Sequence, residues 1–415
     1  MCSHSDISRA RGPTCGAPAF EAPFIRAPEA VRTVFVVTGA AACGPLLAGV
    51  VFFGWRALVV AGISVASCAA IERLYYRVTR TPALLGRSHA YLTGVLLALT
   101  LPAFVPWYVP LMAAAFAIIV GKAIFGGVGH FLWQPALVGR LAVAVMFPAT
   151  MNPAAWNVLS RDRLVVGDVK AASSVERLPC WARQPAPRGA DAFRVRPPSA
   201  VLAGLANSRG PAFSALAYRP AKVPRPRPAA LLKMPKINEL FYGARPGGIG
   251  ETSIIIIVVA GMYLVYRHYV KWQLPVAFIL SAAVVVAVAP VYFARPGIEG
   301  DARAVWFPIA VEGCDVGFVY VCYQLLTCEL FLAAFFLATE MTSRPVTTGG
   351  QILFGIGCGG VAMSLRMFLD VPIPCYLAVL AMNTFTPTID AIWPPRALGP
   401  KALLARLLPR RNKNG

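Results

Sequence analysis

Long apolar runs, separated by short polar or Pro/Gly-rich breaks, organise this chain. A run of about 18 residues with few charges is long enough, as a helix, to cross a hydrocarbon layer of about 30 Å. On that criterion the pattern predicts about ten spanning helices. They fall at 33–54, 57–74, 90–105, 107–124, 135–150, 252–268, 274–293, 317–338, 351–369 and 373–391. Only the stretch Pro102–Pro106 separates the third from the fourth, so these are expected to be neighbours in space. The fifth is short and flanked by prolines.

The expected fold class is an all-α polytopic membrane protein, with about ten transmembrane helices in an inverted 5+5 repeat. Residues 1–30 are a polar tail expected to be disordered and cytoplasmic, 31–150 a first five-helix half, and 151–250 a long Pro/Arg-rich extracytoplasmic loop. Residues 251–393 form a second five-helix half and 394–415 a basic cytoplasmic tail. An odd number of spans before the long loop forces the second half to insert upside down, the geometry of inverted-repeat membrane folds. A Gly-rich turn at 126–136 and a polar Pro/Gly-rich turn at 338–351 are a faint echo of that repeat.

Composition agrees with a membrane chain. Of 415 residues, 57% are hydrophobic and 14% charged, with a mean hydropathy of +0.63; an ordinary soluble domain carries roughly 25% charged residues. The net charge of +21 resembles a nucleic-acid signal. However, most Lys and Arg sit beside apolar runs, where they orient helices, and no basic-aromatic stripe marks a nucleic-acid module. With the N-terminus inside, Arg73, Arg77, Arg80 and Arg87 face the cytoplasm. So do Arg267, His268 and Lys271, and the terminal group Arg396, Lys401, Arg406, Arg410, Arg411 and Lys413. The opposite orientation would put every cluster on the wrong side. The basic loop 151–250, including Pro220–Ala230, then faces outside; long loops translocate largely regardless of charge, and its Pro-rich part is expected to be extended or disordered. The first thirty residues lack the apolar core and small-residue cleavage site of a signal peptide. The ten cysteines form no C-x-x-C pair, so spacing offers no zinc or iron–sulfur framework and no metal site.

Three groups of residues could carry chemistry. Gly126, Gly127 and Gly129 in the stretch Phe125–His130 allow close backbone approach, suited to a phosphate or a flavin edge or simply to a tight turn. Glu251, Thr252 and Ser253 follow a Pro/Gly turn and open span six, as a helix cap or as a cofactor or ion site. Arg140, Glu329 and Arg366 lie inside spans, where ionisable groups are costly and usually functional, with Asp390 and a snorkelling Lys122 near span ends. If the halves pack together, Arg140 can meet Glu329; the charges would line an ion path, bind an anionic cofactor, or form a structural pair. No Ser-His-Asp set, Walker motif or dinucleotide fingerprint appears, which argues against soluble-enzyme chemistry.

Several long motifs in order carry a family resemblance. They are TGVLLALTLPAFVPWYV (93–109), GKAIFGGVGHFLWQPALVGR (121–140), FYGARPGGIGETS (241–253), AAFFLATEMTSRPVTTGGQILFGIGCG (333–359), Arg366 and NTFTPTID (383–390). In these stretches the chain resembles the D-type membrane subunit of the Rnf ion-translocating electron transport complex and the related B-type membrane subunit of the sodium-translocating NADH:quinone reductase. The resemblance implies a bacterial inner-membrane, multi-pass subunit with both termini cytoplasmic, acting with other membrane and flavin or iron–sulfur subunits. It also implies FMN or riboflavin as cofactor, with Thr339 and Glu340 joining the glycines and Glu251–Ser253 as binding candidates. In the family, FMN is esterified to a threonine within Asp-Ala-x-x-x-Ala-Thr-Pro-Leu. Here the matching stretch is Asp191–Leu202, and Pro197 occupies the threonine position with Ser199 nearby. Proline has no hydroxyl, which puts covalent FMN in doubt. The family turn Gly-Gly-Leu-Gly-x-Asn-x-Phe-Asn-Pro-Ala is altered too, to Phe131, Trp133 and Gln134, and Glu329 stands where relatives tend to have a small residue. The expected function is a membrane subunit coupling flavin-mediated electron transfer to sodium or proton movement. The alternatives are a flavin-free scaffold or ion-path subunit of such a complex, or a stand-alone small-solute transporter or channel.

Overall fold

The computed structural model describes residues 31–79, 89–125, 131–151, 159–160, 183–184, 192–195, 237–242, 247–294, 302–305, 314–369, 371 and 373–394. Expectations for the two tails, Arg80, Arg87, Gly126, Gly127, Gly129, His130, Pro197 and Ser199 lie outside the described residues.

Every expected span meets a helix. The first half holds α1 (Val31–Phe53), α2 (Trp55–Thr79), α3 (Ala90–Thr100), α4 (Tyr108–Ile118), α5 (Pro135–Met146) and the single turn α6 (Pro148–Met151). After the long loop come α7 (Ile237–Tyr242), α8 (Ile254–Tyr266), α9 (Gln273–Val288), α10 (Cys314–Leu326), α11 (Leu330–Leu332), α12 (Thr348–Phe368) and α13 (Pro374–Ile392). Among the described residues, α1, α2 and α12 are long and apolar enough to cross a membrane on their own; α10 and α11 add a fourth crossing if their bent pair counts as one. The other apolar helices are shorter. At about 1.5 Å per residue, the 11-residue α3 is far too short to cross about 30 Å alone.

The expected third span is thus shortened, and the cause is local; the expected fourth is met by α4 and the π-helical turn that continues it to Ala123. Pro102 and Pro106 cannot donate a backbone hydrogen bond, so α3 stops at Thr100 and the chain runs irregularly to Tyr108. The second half breaks without proline. The two parts of its eighth span meet at a bend of 66°. There the Thr327 hydroxyl donates to Tyr323 O at 2.7 Å, a back-bond that bends helices.

The halves also repeat a local design. α4 continues as a π-helical turn, Ile119–Ala123, and α11 as another, Ala333–Leu337. Each is followed by a turn and then by a helix whose N-cap side chain takes a free backbone N–H. Gln134 Oε1 accepts from Leu137 N at 2.7 Å, and Thr347 Oγ1 accepts from Gly350 N at 3.2 Å.

Packing within the first half joins α2 to α3 and α4, α4 to α5, and α1 to α3. In the second half α12 packs along both α9 and α13. The halves meet where α1 lies on α8 and α13 on α5. The chain is not helical throughout. A β1-β3-β2 antiparallel sheet (β1 Leu159–Ser160, β2 Arg183–Gln184, β3 Ala192–Val195) sits in the long loop, and a hairpin of β4 (Val291–Ala294) with β5 (Ala302–Val305) follows α9. These strands correct the all-α expectation outside the apolar helices; they are too short to register against the dominant hydropathy signal.

The α9–α12 seam depends on small residues that let two backbones approach. A Cβ on Gly355 would stand 2.8 Å from Leu274 O, and one on Gly359 would strike Phe278 O and the Ser281 hydroxyl, whereas one on Gly360 meets nothing within 4 Å. Gly359→Val should therefore lower the melting temperature of the detergent-purified protein, by about 1–3 kcal/mol of overpacking, while Gly360→Val stays within about 0.5 kcal/mol. Equal melting curves for the two variants would show that the seam is not close-packed.

Candidate functional site

The end of α3 leaves carbonyls pointing into an apolar interior, and two groups reach them. The Arg140 Nε of α5 donates to Thr100 O at 3.0 Å, and Ile249 N donates to Leu101 O at 2.9 Å. Ile249 opens a 3-10 turn, Ile249–Glu251, that leads into α8. The glycines before it serve this approach: a Cβ on Gly248 would lie 3.0 Å from Leu99 O, and one on Gly250 would lie 2.6 Å from the Leu99 side chain. The Pro/Gly turn thus brings the second half onto the broken helix of the first.

Glu251 ties the same place to α13. Its Oε2 accepts from Gly248 N at 2.9 Å, and its Oε1 accepts a short hydrogen bond from the Tyr376 hydroxyl. Arg140 is 1% exposed, and its Nη1 also contacts Met151 Sδ at 3.3 Å. Glu251, Tyr376 and Glu329 all lie within electrostatic reach of its guanidinium. Arg140 thus caps α3 and faces Glu251, with the anticipated partner Glu329 also within electrostatic reach. Glu329 Oε1 accepts from Cys375 N at 3.2 Å at the start of α13. Arg366 Nη2 donates to Thr327 Oγ1 at 2.8 Å, just past α10. Each half-helix that ends inside the structure thus has a buried arginine at its carbonyl end, where the helix dipole favours a cation.

Other expected residues behave differently. Ser253 stands at the N-cap of α8, but its side chain makes no cap bond; Glu251 takes a turn N–H instead. The Thr252 hydroxyl reaches Ile249 O at 3.5 Å, and the Thr339 hydroxyl back-bonds to Phe335 O at 2.6 Å. Asp390 Oδ1 accepts from Val346 N at 3.2 Å, which closes the 339–347 turn onto α13. It lies about 22 Å along the helix from Cys375, so it does not share the Arg140–Glu251–Glu329 group.

A second polar group surrounds the π-turns. Lys122 does not snorkel to a surface. Its Nζ lies 2.7 Å from Glu72 of α2, and both side chains are almost wholly buried. Lys122 also faces Glu340, which is hydrogen-bonded to Gln134. Sequence reading missed Glu72 and Tyr376; a carboxylate inside span two was the available signal for the first, and a tyrosine in an apolar run gives none for the second.

Beside this group lies a set of buried polar atoms with no hydrogen-bond counterpart among the described residues. They are Glu340 Oε2, Thr342 Oγ1, Ser343 Oγ, Arg344 Nη1, Gln351 Oε1 and both amide atoms of Asn383. The elements that carry them touch: Thr386 Oγ1 donates to Ser343 O at 3.1 Å, Gln351 Nε2 to Pro345 O at 2.9 Å, and Trp133 Nε1 to Thr384 Oγ1 at 3.0 Å. Each unmet buried polar atom costs about 1–3 kcal/mol, so this region is built to receive water, an ion or a polar ligand.

The model of the NQR2, RnfD, RnfE family matches residues 19–399. The chain belongs to this family. Its relatives include the D-type subunit of the ion-translocating oxidoreductase complex of Halorhodospira halophila, 28% identical, with 93% of this chain and 96% of that protein covered. The D-type subunit of the proton-translocating ferredoxin:NAD(+) oxidoreductase complex of Clostridium ljungdahlii is 27% identical, covering 91% and 94%. The Na(+)-translocating counterpart from Acetobacterium woodii is 26% identical, covering 91% and 93%. Within the family turn, this chain spends its altered residues on its own structure: Phe131 is buried, Trp133 bonds α13, and Gln134 caps α5 and holds Glu340.

The Glu72–Lys122 pair gives a clear double-mutant test. Lys122→Met alone leaves a buried carboxylate uncompensated and should cost about 3–5 kcal/mol, whereas Glu72→Gln with Lys122→Met should recover most of that loss. Thermal unfolding of the two single variants and the double variant in detergent measures it; simple additivity would mean the two groups do not interact.

Proposed function

We propose that this chain is the D-type membrane subunit of an Rnf-like complex, which couples electron transfer to movement of sodium or protons across a bacterial inner membrane. The family match over residues 19–399 carries this reading. Relatives named for such complexes cover nearly the whole chain, and their names assign protons to one and sodium to another. The fold supports an arrangement of about ten crossings in two inverted halves: each half has a shortened helix, a π-turn and a side-chain-capped helix, in the same order. With both termini inside, the β1-β3-β2 sheet and the β4–β5 hairpin fall on the outer side. The buried charges Arg140, Glu251, Glu329 and Arg366 at the seam between halves, with Glu340 and Asp390 nearer the turns, are the groups that would line an ion path. Ionisable groups inside a membrane span commonly mark an ion pathway.

The cofactor reading follows the residues present. Proline at position 197 cannot form the phosphoester, so FMN is not attached there. A flavin held without an ester fits the unmet amides and hydroxyls of Gln351, Asn383, Thr342 and Ser343, a donor and acceptor set suited to a ring edge. When bound, it would supply one- and two-electron transfer, while the chain binds and orients it. Thr339 is less suited to that task, because its hydroxyl is already given to Phe335 O.

Affinity purification from native membranes should recover redox subunits with this chain, and vesicles lacking the chain should lose ferredoxin- or NADH-driven ion uptake. Recovery of the chain alone, with solute flux in reconstituted vesicles, would favour a stand-alone transporter. The intact mass of the denatured chain should equal its sequence mass, with no flavin fluorescence in a denaturing gel. An FMN adduct would show that another hydroxyl, Ser199 first, has taken over attachment.

A further inference from the structure

The break between α10 and α11 holds a pair of thiols that the proposed function does not use. Cys328 lies in the break itself, and Cys375 is the second residue of α13. Although 47 residues separate them, their sulfurs are 3.8 Å apart. Both residues are buried, 3% and 0% exposed. The backbone around them is held in place: Cys375 N donates to the Glu329 carboxylate at 3.2 Å, and Thr327 is fixed by Arg366 at 2.8 Å. A disulfide is about 2.05 Å long. Closing the remaining gap takes a side-chain rotation rather than a movement of helices.

We propose that Cys328 and Cys375 form a redox-active dithiol whose oxidation ties the break of the bent span to the start of α13. Two S–H bonds break and one S–S bond forms. Two electrons and two protons pass to an acceptor of the quinone class, the kind of two-electron oxidant that dissolves in a bilayer, and it leaves as the quinol. One thiol must first lose its proton, because the thiolate is the nucleophile. Glu329 adjoins one cysteine in sequence and bonds the backbone of the other, so its carboxylate is the nearest base for that proton. That thiolate bonds a quinone oxygen; the second sulfur then attacks it, the S–S bond forming as the S–O bond breaks, and the departing quinol takes up the second thiol's proton and the one held by Glu329. In the reduced state the break and α13 meet by packing, the Glu329 hydrogen bond and other non-covalent contacts. In the oxidised state they are joined covalently, so the 66° bend cannot straighten away from α13.

The test uses full-length protein in native membranes. Aliquots are treated with dithiothreitol, with decylubiquinone or with diamide, which takes two hydrogens from a dithiol to become the hydrazine. Remaining thiols are blocked with N-ethylmaleimide under denaturation, and the unreduced digest is read by mass spectrometry. Oxidised samples should contain the Cys328 and Cys375 peptides joined and two hydrogens lighter than their sum, and dithiothreitol should return them to separate adducts. Cys328→Ser should abolish the joined species without linking Cys375 to another cysteine, and Cys375→Ala should do the same for Cys328. Recovery of both as separate adducts after every oxidant would overturn the proposal. It would do so whether or not N-ethylmaleimide reaches them in intact membranes, since a pair sealed from all oxidants is not a redox couple.

Discussion

Everything in this fold follows from one requirement: a backbone carbonyl inside an apolar layer must find a donor. A helix that runs the full width meets it internally. One that stops early does not, and α3 stops early because Pro102 and Pro106 follow it. Arg140 and the Ile249 N–H supply the missing donors at Thr100 and Leu101. Those two contacts fix the positions of α5 and of the 3-10 turn ahead of α8, and through Glu251 and Tyr376 they fix α13. The buried charges at the seam are therefore consequences of the broken helices first. Any part they play in moving ions is built on a structural need.

That priority explains what could be read from the chain. Hydropathy located each apolar helix to within a few residues, because a run such as Ile254–Tyr266 has one physical solution in lipid. It overstated the length of α3, because proline acts on hydrogen bonding and leaves average hydropathy nearly unchanged. The bend at Thr327–Glu329 carries no composition signal at all. Of the candidate site residues, Arg140, Glu251, Glu329 and Arg366 converge near the seam, and their charge in an apolar context made them visible. Tyr376 and Glu72 acquire their roles from neighbours far away in sequence, which no local pattern records. Asp390 and Thr339 looked alike as polar groups in motif stretches; Asp390 holds the 339–347 turn to α13, and Thr339 back-bonds to Phe335 O.

Relatives of nearly equal identity are named for proton and for sodium translocation. Overall similarity of this subunit therefore does not indicate the ion. The unmet oxygens and amides around Glu340 and Asn383 are among the described atoms with spare coordinating capacity. In the turn beside them Phe131 is buried, and the Gln134 amide is occupied at α5 and Glu340.

The close fit of Ile249 against Gly49 of α1, which leaves no room for a Cβ, has a consequence for how the chain is made. About 200 residues of synthesis separate the two positions, which at about 5–20 residues per second is roughly 10–40 s. Throughout that interval, α1 and the truncated end of α3 sit in the membrane without the turn that completes them. The first five helices must persist as an open intermediate, and a lipid, a translocation factor or a neighbouring subunit has time to occupy the slot that Ile249 later fills. Biogenesis of this protein is thus exposed to competition at one groove, at a stage set by the length of its long central loop.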